Sequence, residues 1–274
     1  MSPQTPLSPH AVVTGAASGI GAAIADDLAA HGWHVTGVDL RADALTAVLD
    51  AIHARHHVPV RAVVGDLADA GFATDLVDEA WSQAPVDGLV NAAGIYPAIP
   101  FEDLTAELWD RVQHVNVRAA VLTAQRLAHH ARPARRTPAV VNIASGAALR
   151  ARPGAAHYST SKAALVMATK ASAVELGPYG IRVNAVSPGF VGVDSAVNPV
   201  TPGYAEAVGR SLLPGRAEAS HIAPAVRFLL GPDAAWITGA NLPVDGGGSA
   251  GTTALPHHWP HPTPWQLGTP EARS

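Results

Sequence analysis

The chain contains no cysteine, which excludes disulfides, thiol nucleophiles and cysteine-ligated metals. Lysine is nearly as scarce: of 18 basic side chains only Lys162 and Lys170 are lysine, and the rest are arginine. Charged residues make up 15% of the chain and the net charge is −4, so there is no basic surface for nucleic acid to seek. No apolar run is long enough to span a bilayer. The first ten residues, "MSPQTPLSPH", lack the basic and apolar regions of a secretory signal. These absences read as a soluble, cytoplasmic protein with neither nucleic acid nor membrane as a partner.

What is present is hydrophobic: 48% of 274 residues, enough to bury a substantial core. Short β-branched runs such as "AVVTG", "HVTGVDL" and "PAVVNIAS" alternate with alanine-rich helical stretches. The runs lack strict polar alternation, as expected of strands covered on both faces. Repeated strand–helix units predict an α/β fold: a Rossmann-type, doubly wound parallel sheet of about seven strands with helices on both faces. Residues 106–131 read as one continuous helix, and so does the stretch beginning "AHYSTSK". No composition break divides residues 1–248, which read as one domain. Residues 249–274 form a Pro-, His- and Trp-rich tail with no regular pattern.

The loop "TGAASGIG" follows the first strand and opens the first helix. Gly15 suits a tight turn, while Gly19 and Gly21, with Ser18 and Ile20 between and beside them, bring backbone N–H groups to a pyrophosphate. Asp39 ends the second strand, 18 residues after Gly21. A carboxylate there accepts bonds from both ribose hydroxyls and repels a 2′-phosphate, which favours NAD over NADP. Arg41, two residues on, is the one counter-signal. Asp66 and Leu67, and the "NAAG" segment with Asn91, Ala92 and Gly94, fall at the same carboxyl edge of the sheet, where open α/β sheets bind ligands.

Tyr158 and Lys162 stand four apart in a helix, so they share a face. Ser145 ends the fifth strand near that face. A free phenol, with a pKa near 10, is a poor base at neutral pH, and a neighbouring ammonium favours its phenolate. That pairing explains a lysine in a chain that otherwise uses arginine, which never gives up its proton.

Taken together, "TGAASGIG", "NAAG", "HVNV", "NIAS", "YSTSK", "SPG" and "VDGG", in this order over residues 11–248, resemble the short-chain dehydrogenase/reductase family, in its short subfamily. The resemblance implies a hydride transfer between NAD and a secondary alcohol or ketone, with the substrate oxygen held by Ser145 and Tyr158. It implies that Lys162 also holds the nicotinamide ribose, and that Asn116 holds a water in a proton relay. It also implies that Pro188, Gly189 and Val191 pass the nicotinamide, and that the chain forms a homotetramer or homodimer. The other class of reading is an NAD-responsive binding or regulatory protein whose catalytic residues are vestigial.

Tyr96, Leu149, Arg150 and Arg152 are candidates to line the substrate pocket, and an arginine there suits an acidic substrate. Residues 192–215 read as a lid, with Asp194 and Ser195 where the family often has a threonine. His257, His258 and His261 have no carboxylate partners and no regular scaffold, so no metal is expected. Trp259 and Trp265 suit packing of the tail on a neighbouring subunit.

Overall fold

The computed structural model describes residues 8–192 and 211–252, with positions 203, 205 and 209 between them. Seven strands form one parallel sheet: β1 (His10–Thr14), β2 (His34–Asp39), β3 (Val60–Val64), β4 (Gly88–Asn91), β5 (Ala139–Ile143), β6 (Arg182–Pro188) and β7 (Asn241–Val244). Their spatial order is β3-β2-β1-β4-β5-β6-β7, so the chain winds outward from β1 in both directions. Among the described residues the helices include α1 (Gly19–Ala30), α2 (Ala42–His56), α3 (Ala70–Gln83), α4 (Ala106–Gln113), α5 (Ala119–Ala131), α6 (Ala156–Leu176) and α7 (Ala219–Leu230).

Side chains alternate across a strand, and here both sides are dry. On β1, Ala11 and Val13 enter the core with Ile24 of α1, Leu45 of α2 and Ile222 of α7. Val12, between them, enters the opposite core with Leu76 of α3, Leu127 of α5 and Ala173 of α6. Each fully buried leucine or isoleucine stabilises the fold by roughly 2 kcal/mol relative to exposure. The outer strands β3 and β7 are mostly uncovered, as edges of an open sheet should be.

The winding reverses between β1 and β4, and one side chain ties the two strand ends together. Thr14 Oγ1 accepts hydrogen bonds from Ala92 N and Ala93 N, each 3.1 Å. This is the point where open α/β sheets leave a crevice for a ligand.

The sequence reads 106–131 as one helix, but a π turn (His114–Arg118) separates α4 from α5. No glycine or proline causes it. The widened turn seats the Asn116 side chain in a buried bonding position, a gain that outweighs the weaker local geometry. Among the described residues, no helix is long and apolar enough to cross a membrane.

Candidate active site

The glycine loop is built by close approach. Gly15 has φ +70°, and a Cβ there would lie 2.8 Å from Ala93 Cα. A Cβ on Gly21 would lie 2.2 Å from the Gly15 carbonyl oxygen. Both obstacles are backbone, so neither position accepts a side chain without moving the loop. Ser18 caps α1 in extended conformation, yet its side chain makes no cap bond, and the first turn carries no acidic residue. Instead, Ser18 Oγ accepts a bond from Arg41 Nη2 at 2.8 Å. The N–H groups of this helix end thus have neither a side-chain cap nor an acidic residue in the first turn, and Asp39 bonds the loop one residue before the cap, at Ala17 N. This suits a pyrophosphate, and the residues fit a dinucleotide.

Asp39 is buried at the end of β2, and its carboxylate is well used. Oδ2 accepts from Ala17 N at 3.1 Å, and Oδ1 accepts from Arg41 N at 3.0 Å and Arg41 Nε at 3.2 Å. Arg41 thus bridges Asp39 to the glycine loop. Asp66 is similarly occupied: Oδ1 accepts from Ala68 N at 2.8 Å and Oδ2 from Arg111 Nη2 at 3.0 Å. Burial works to raise the Asp66 carboxyl, but those two donors outweigh it and hold the group below the usual carboxylate range. Leu67, beside it, is buried in the core.

The Asn91 amide belongs to the fold. Oδ1 accepts from Thr123 Oγ1 and Nδ2 donates to Asn142 Oδ1, both at 2.9 Å. Asn142 in turn donates to Thr169 Oγ1 of α6 at 2.9 Å. This buried polar chain ties β4 and β5 to α5 and α6, so any contact from Asn91 to a ligand must come from its backbone.

The chemical end gathers Ser145, Tyr158, Lys162 and Asn116. The Lys162 ammonium donates to the Ile143 carbonyl at 2.7 Å and lies 5.8 Å from the centre of the Tyr158 ring. The first carbon of any side chain at Gly94 would be 3.4 Å from both Lys162 Nζ and Asn116 Oδ1. Gly94 is thus the open floor between them. Ser145 caps a short turn (Gly146–Ala148) that packs on α6. Its Oγ accepts from Ala147 N at 3.1 Å, which leaves the hydroxyl proton to donate elsewhere.

Burial pushes the Lys162 ammonium from 10.5 down to about 8. Below pH 8 the lysine is protonated folded and unfolded, so the burial penalty is fully present. Between about 8 and 10.5 the unfolded chain binds more protons, and stability rises with pH. Replacing Lys162 with methionine should therefore stabilise the cofactor-free protein at pH 7, by as much as roughly 3 kcal/mol. The difference should shrink by pH 9.5. Urea unfolding of both proteins at the two pH values measures it, and a difference independent of pH would contradict the buried-ammonium assignment.

A family profile described as enoyl-(acyl carrier protein) reductase matches residues 15–249. A 2,3-dihydro-2,3-dihydroxybenzoate dehydrogenase of Bacillus subtilis (strain 168) is 36% identical over 253 residues, covering 88% of this chain and 96% of that one. The chain belongs to the short-chain dehydrogenase/reductase family. Two solved structures of similar shape carry nicotinamide cofactors. One is a 4-hydroxyisoleucine dehydrogenase complexed with NADH (TM-score 0.78, 28% identity, covering 89% of this chain and 100% of that chain). The other is a short-chain dehydrogenase from Burkholderia cenocepacia J2315 in complex with NADP (TM-score 0.81, 35% identity, covering 89% and 100%). The parallel sheet and the family place this chain among nicotinamide-dependent oxidoreductases.

Within the family frame, several sequence expectations meet a definite geometry. The Asn116 amide is a brace: Oδ1 accepts from Ile95 N at 2.9 Å, and Nδ2 donates to Ile95 O at 2.9 Å and Ser161 Oγ at 3.0 Å. Both N–H groups are spent, so the amide itself has no donor left for a relay water. Arg150 donates to the Gly248 carbonyl at 2.9 Å and fastens the end of the domain to the turn after β5. Gly189 N donates to Val244 O at 3.1 Å, which pins the turn after Pro188 against β7. Val191 pairs with Ala217 in an isolated bridge. Asp194, Ser195, most of the 192–215 stretch and the tail's histidines and tryptophans lie outside the described residues. No cluster that could hold a metal ion occurs among the described residues. The reading from sequence passed over Thr14, although a threonine directly before the glycine loop was the available signal, and passed over His157, the neighbour of Tyr158.

Proposed function

We propose that this short-chain dehydrogenase/reductase oxidises a cyclic secondary alcohol, or reduces the matching ketone, with NAD as cofactor and Tyr158 as the acid–base group. The observation that carries the reading is the buried Lys162 ammonium beside the Tyr158 ring, at the crevice where the sheet reverses. Gly15, Ser18, Gly19, Ile20, Gly21 and Asp39 would hold the adenosine and pyrophosphate. Asp66 and Leu67 would flank the adenine. Backbone from Asn91, Ala92, Gly94, Pro188, Gly189 and Val191, together with Lys162, would hold the nicotinamide half. When bound, that group accepts or gives the hydride.

The residues of this chain do the proton work. The Ser145 hydroxyl, its oxygen already accepting from Ala147 N, donates to the substrate oxygen and stabilises negative charge as it develops. Tyr158 takes the hydroxyl proton in oxidation and returns it in reduction. Lys162 favours the phenolate by its charge. The relay to solvent passes Asn116 at its backbone, inside the π turn, because the amide is committed elsewhere.

The dihydroxybenzoate-type relative supports the reading of a ring in the substrate, and Tyr96, Arg152, Ser145 and Tyr158 would contact it. The carboxylate in that relative's name also suits Arg152. A second reading, acceptance of NADP, is favoured by Arg41, which lies across Asp39 and Ser18 where a 2′-phosphate would arrive. The competing class, a nucleotide-responsive regulator, predicts cofactor binding without turnover. A panel of cyclic secondary alcohols assayed with NAD and with NADP separates the three.

Assembly as a homotetramer is part of the proposal. Met167 and Val174 on α6, Trp236 and Leu242 near the β7 edge, and Phe228 on α7 are exposed apolar residues on two separate faces. Two such faces suit two pairs of self-complementary contacts. Light scattering should give about four times the 28.1 kDa chain mass, and a single-chain mass would contradict it.

A further inference from the structure

We infer that His157 is a positioning residue that sets the shape of the substrate pocket by holding Tyr96 against Tyr158. The inference rests on the reading of Tyr158 as the catalytic acid–base group. His157 immediately precedes Tyr158 on α6 and is fully buried. Its Nε2 lies 2.7 Å from the Pro97 carbonyl oxygen. A carbonyl only accepts, so Nε2 carries the proton and donates. Nδ1 is then a bare acceptor, and it is buried without a protein partner. An apolar side chain would fill this space without stranding a nitrogen, so the imidazole is understood through the bond to Pro97.

That bond is one of three staples on the loop of residues 95–99. Asn116 holds Ile95 from both sides of its peptide. Ile99 N donates to the Gly154 carbonyl at 3.1 Å, just ahead of α6. His157 holds Pro97 between them. Tyr96, between the first two anchors, packs its ring on Tyr158 with centroids 5.5 Å apart and a 52° tilt. The His157 staple joins this loop directly to the residue next to the catalytic phenol. The His157 carbonyl also accepts from Gln113 Nε2 at 3.2 Å, so the first turn of α6 is held from α4 as well. A slack loop would move the Tyr96 wall without moving the phenol, the lysine or the cofactor crevice.

The test compares His157→Gln, which keeps an N–H near the Nε2 position, with His157→Asn, which places its amide nearer Nδ1 and loses the reach to Pro97. With a series of cyclic secondary alcohols of increasing ring size, the Asn variant should raise KM about tenfold, the equivalent of one lost hydrogen bond, with kcat within about threefold. The Gln variant should restore KM to near the wild-type value. NADH affinity should not change in either. The Asn effect should largely vanish when Tyr96→Ala is already present, because both changes release the same wall. Equal KM values in the Gln and Asn variants, or additive effects with Tyr96→Ala, would overturn the inference. Should the Asn variant lose NADH binding through misfolding, Tyr96→Ala alone must reorder KM across ring sizes, and an unchanged order overturns it. Tyr158→Phe runs alongside: activity surviving in that variant defeats the underlying reading, whereas its loss with unmoved His157 variants defeats only this inference.

Discussion

Tyr158→Phe should lower kcat by about a thousandfold, the middle of the range for removing a positioned acid–base group. NADH affinity and thermal unfolding should stay close to those of the wild-type protein. The size of the effect follows from the absence of a substitute in the site. Lys162 Nζ is fixed on the Ile143 carbonyl, 5.8 Å from the phenol ring centre, and is positioned to supply charge. Ser145 Oγ is oriented by Ala147 N as a donor, and a serine hydroxyl is itself no base at neutral pH. Phenylalanine keeps the ring, and with it the packing on Tyr96, so a loss of turnover reports the hydroxyl alone. Steady-state kinetics with NADH titrations makes the measurement, and a variant within tenfold of wild type would contradict the assignment.

Asp39→Ala should change cofactor choice by nearly as much. The carboxylate is buried at the end of β2, where the proposed function puts the ribose, and it restrains Arg41 through two bonds at 3.0 and 3.2 Å. Removing it takes away the acceptor for ribose hydroxyls and the charge that opposes a 2′-phosphate. It also releases a guanidinium that already reaches Ser18 of the glycine loop. Loss of charged hydrogen bonds is worth about 1.5–3 kcal/mol each. The ratio of kcat/KM for NAD over NADP should therefore fall about a hundredfold. Parallel kinetics with the two cofactors decides it, and a ratio moving by less than about threefold would remove Asp39 from the selectivity account.

Much of this architecture was legible in the chain. Strands buried on both faces must be written in apolar runs, so β1, β4 and β5 announced themselves, and the glycine loop is legible because backbone contact at Gly15 and Gly21 tolerates nothing larger. That Tyr158 and Lys162 share a face was legible from their helical spacing, and the role expected of them from the motifs around them. What stayed hidden depends on partners distant in sequence. The π turn at His114–Arg118 has no local breaker and exists because Asn116 reaches Ile95 and Ser161. The Asn91 amide is committed to Thr123 and Asn142, partners that its own motif does not announce. Arg150 bonds the Gly248 carbonyl, a backbone group 98 residues away that no local pattern announces. His157 gave no periodic signal, since its partner Pro97 lies 60 residues away. Each of these is a polar side chain whose role is set by which backbone group tertiary packing presents to it.

The central claim is that the phenol and ammonium of one helix face drive hydride transfer, rather than decorate a nucleotide-binding module. The most direct check is the wild-type protein with saturating NAD and a panel of cyclic secondary alcohols, followed by the absorbance of reduced nicotinamide. The account predicts multiple turnovers with at least one ring alcohol. Saturable NAD binding with no reduced nicotinamide from any alcohol, and no ketone reduction with NADH, would contradict it.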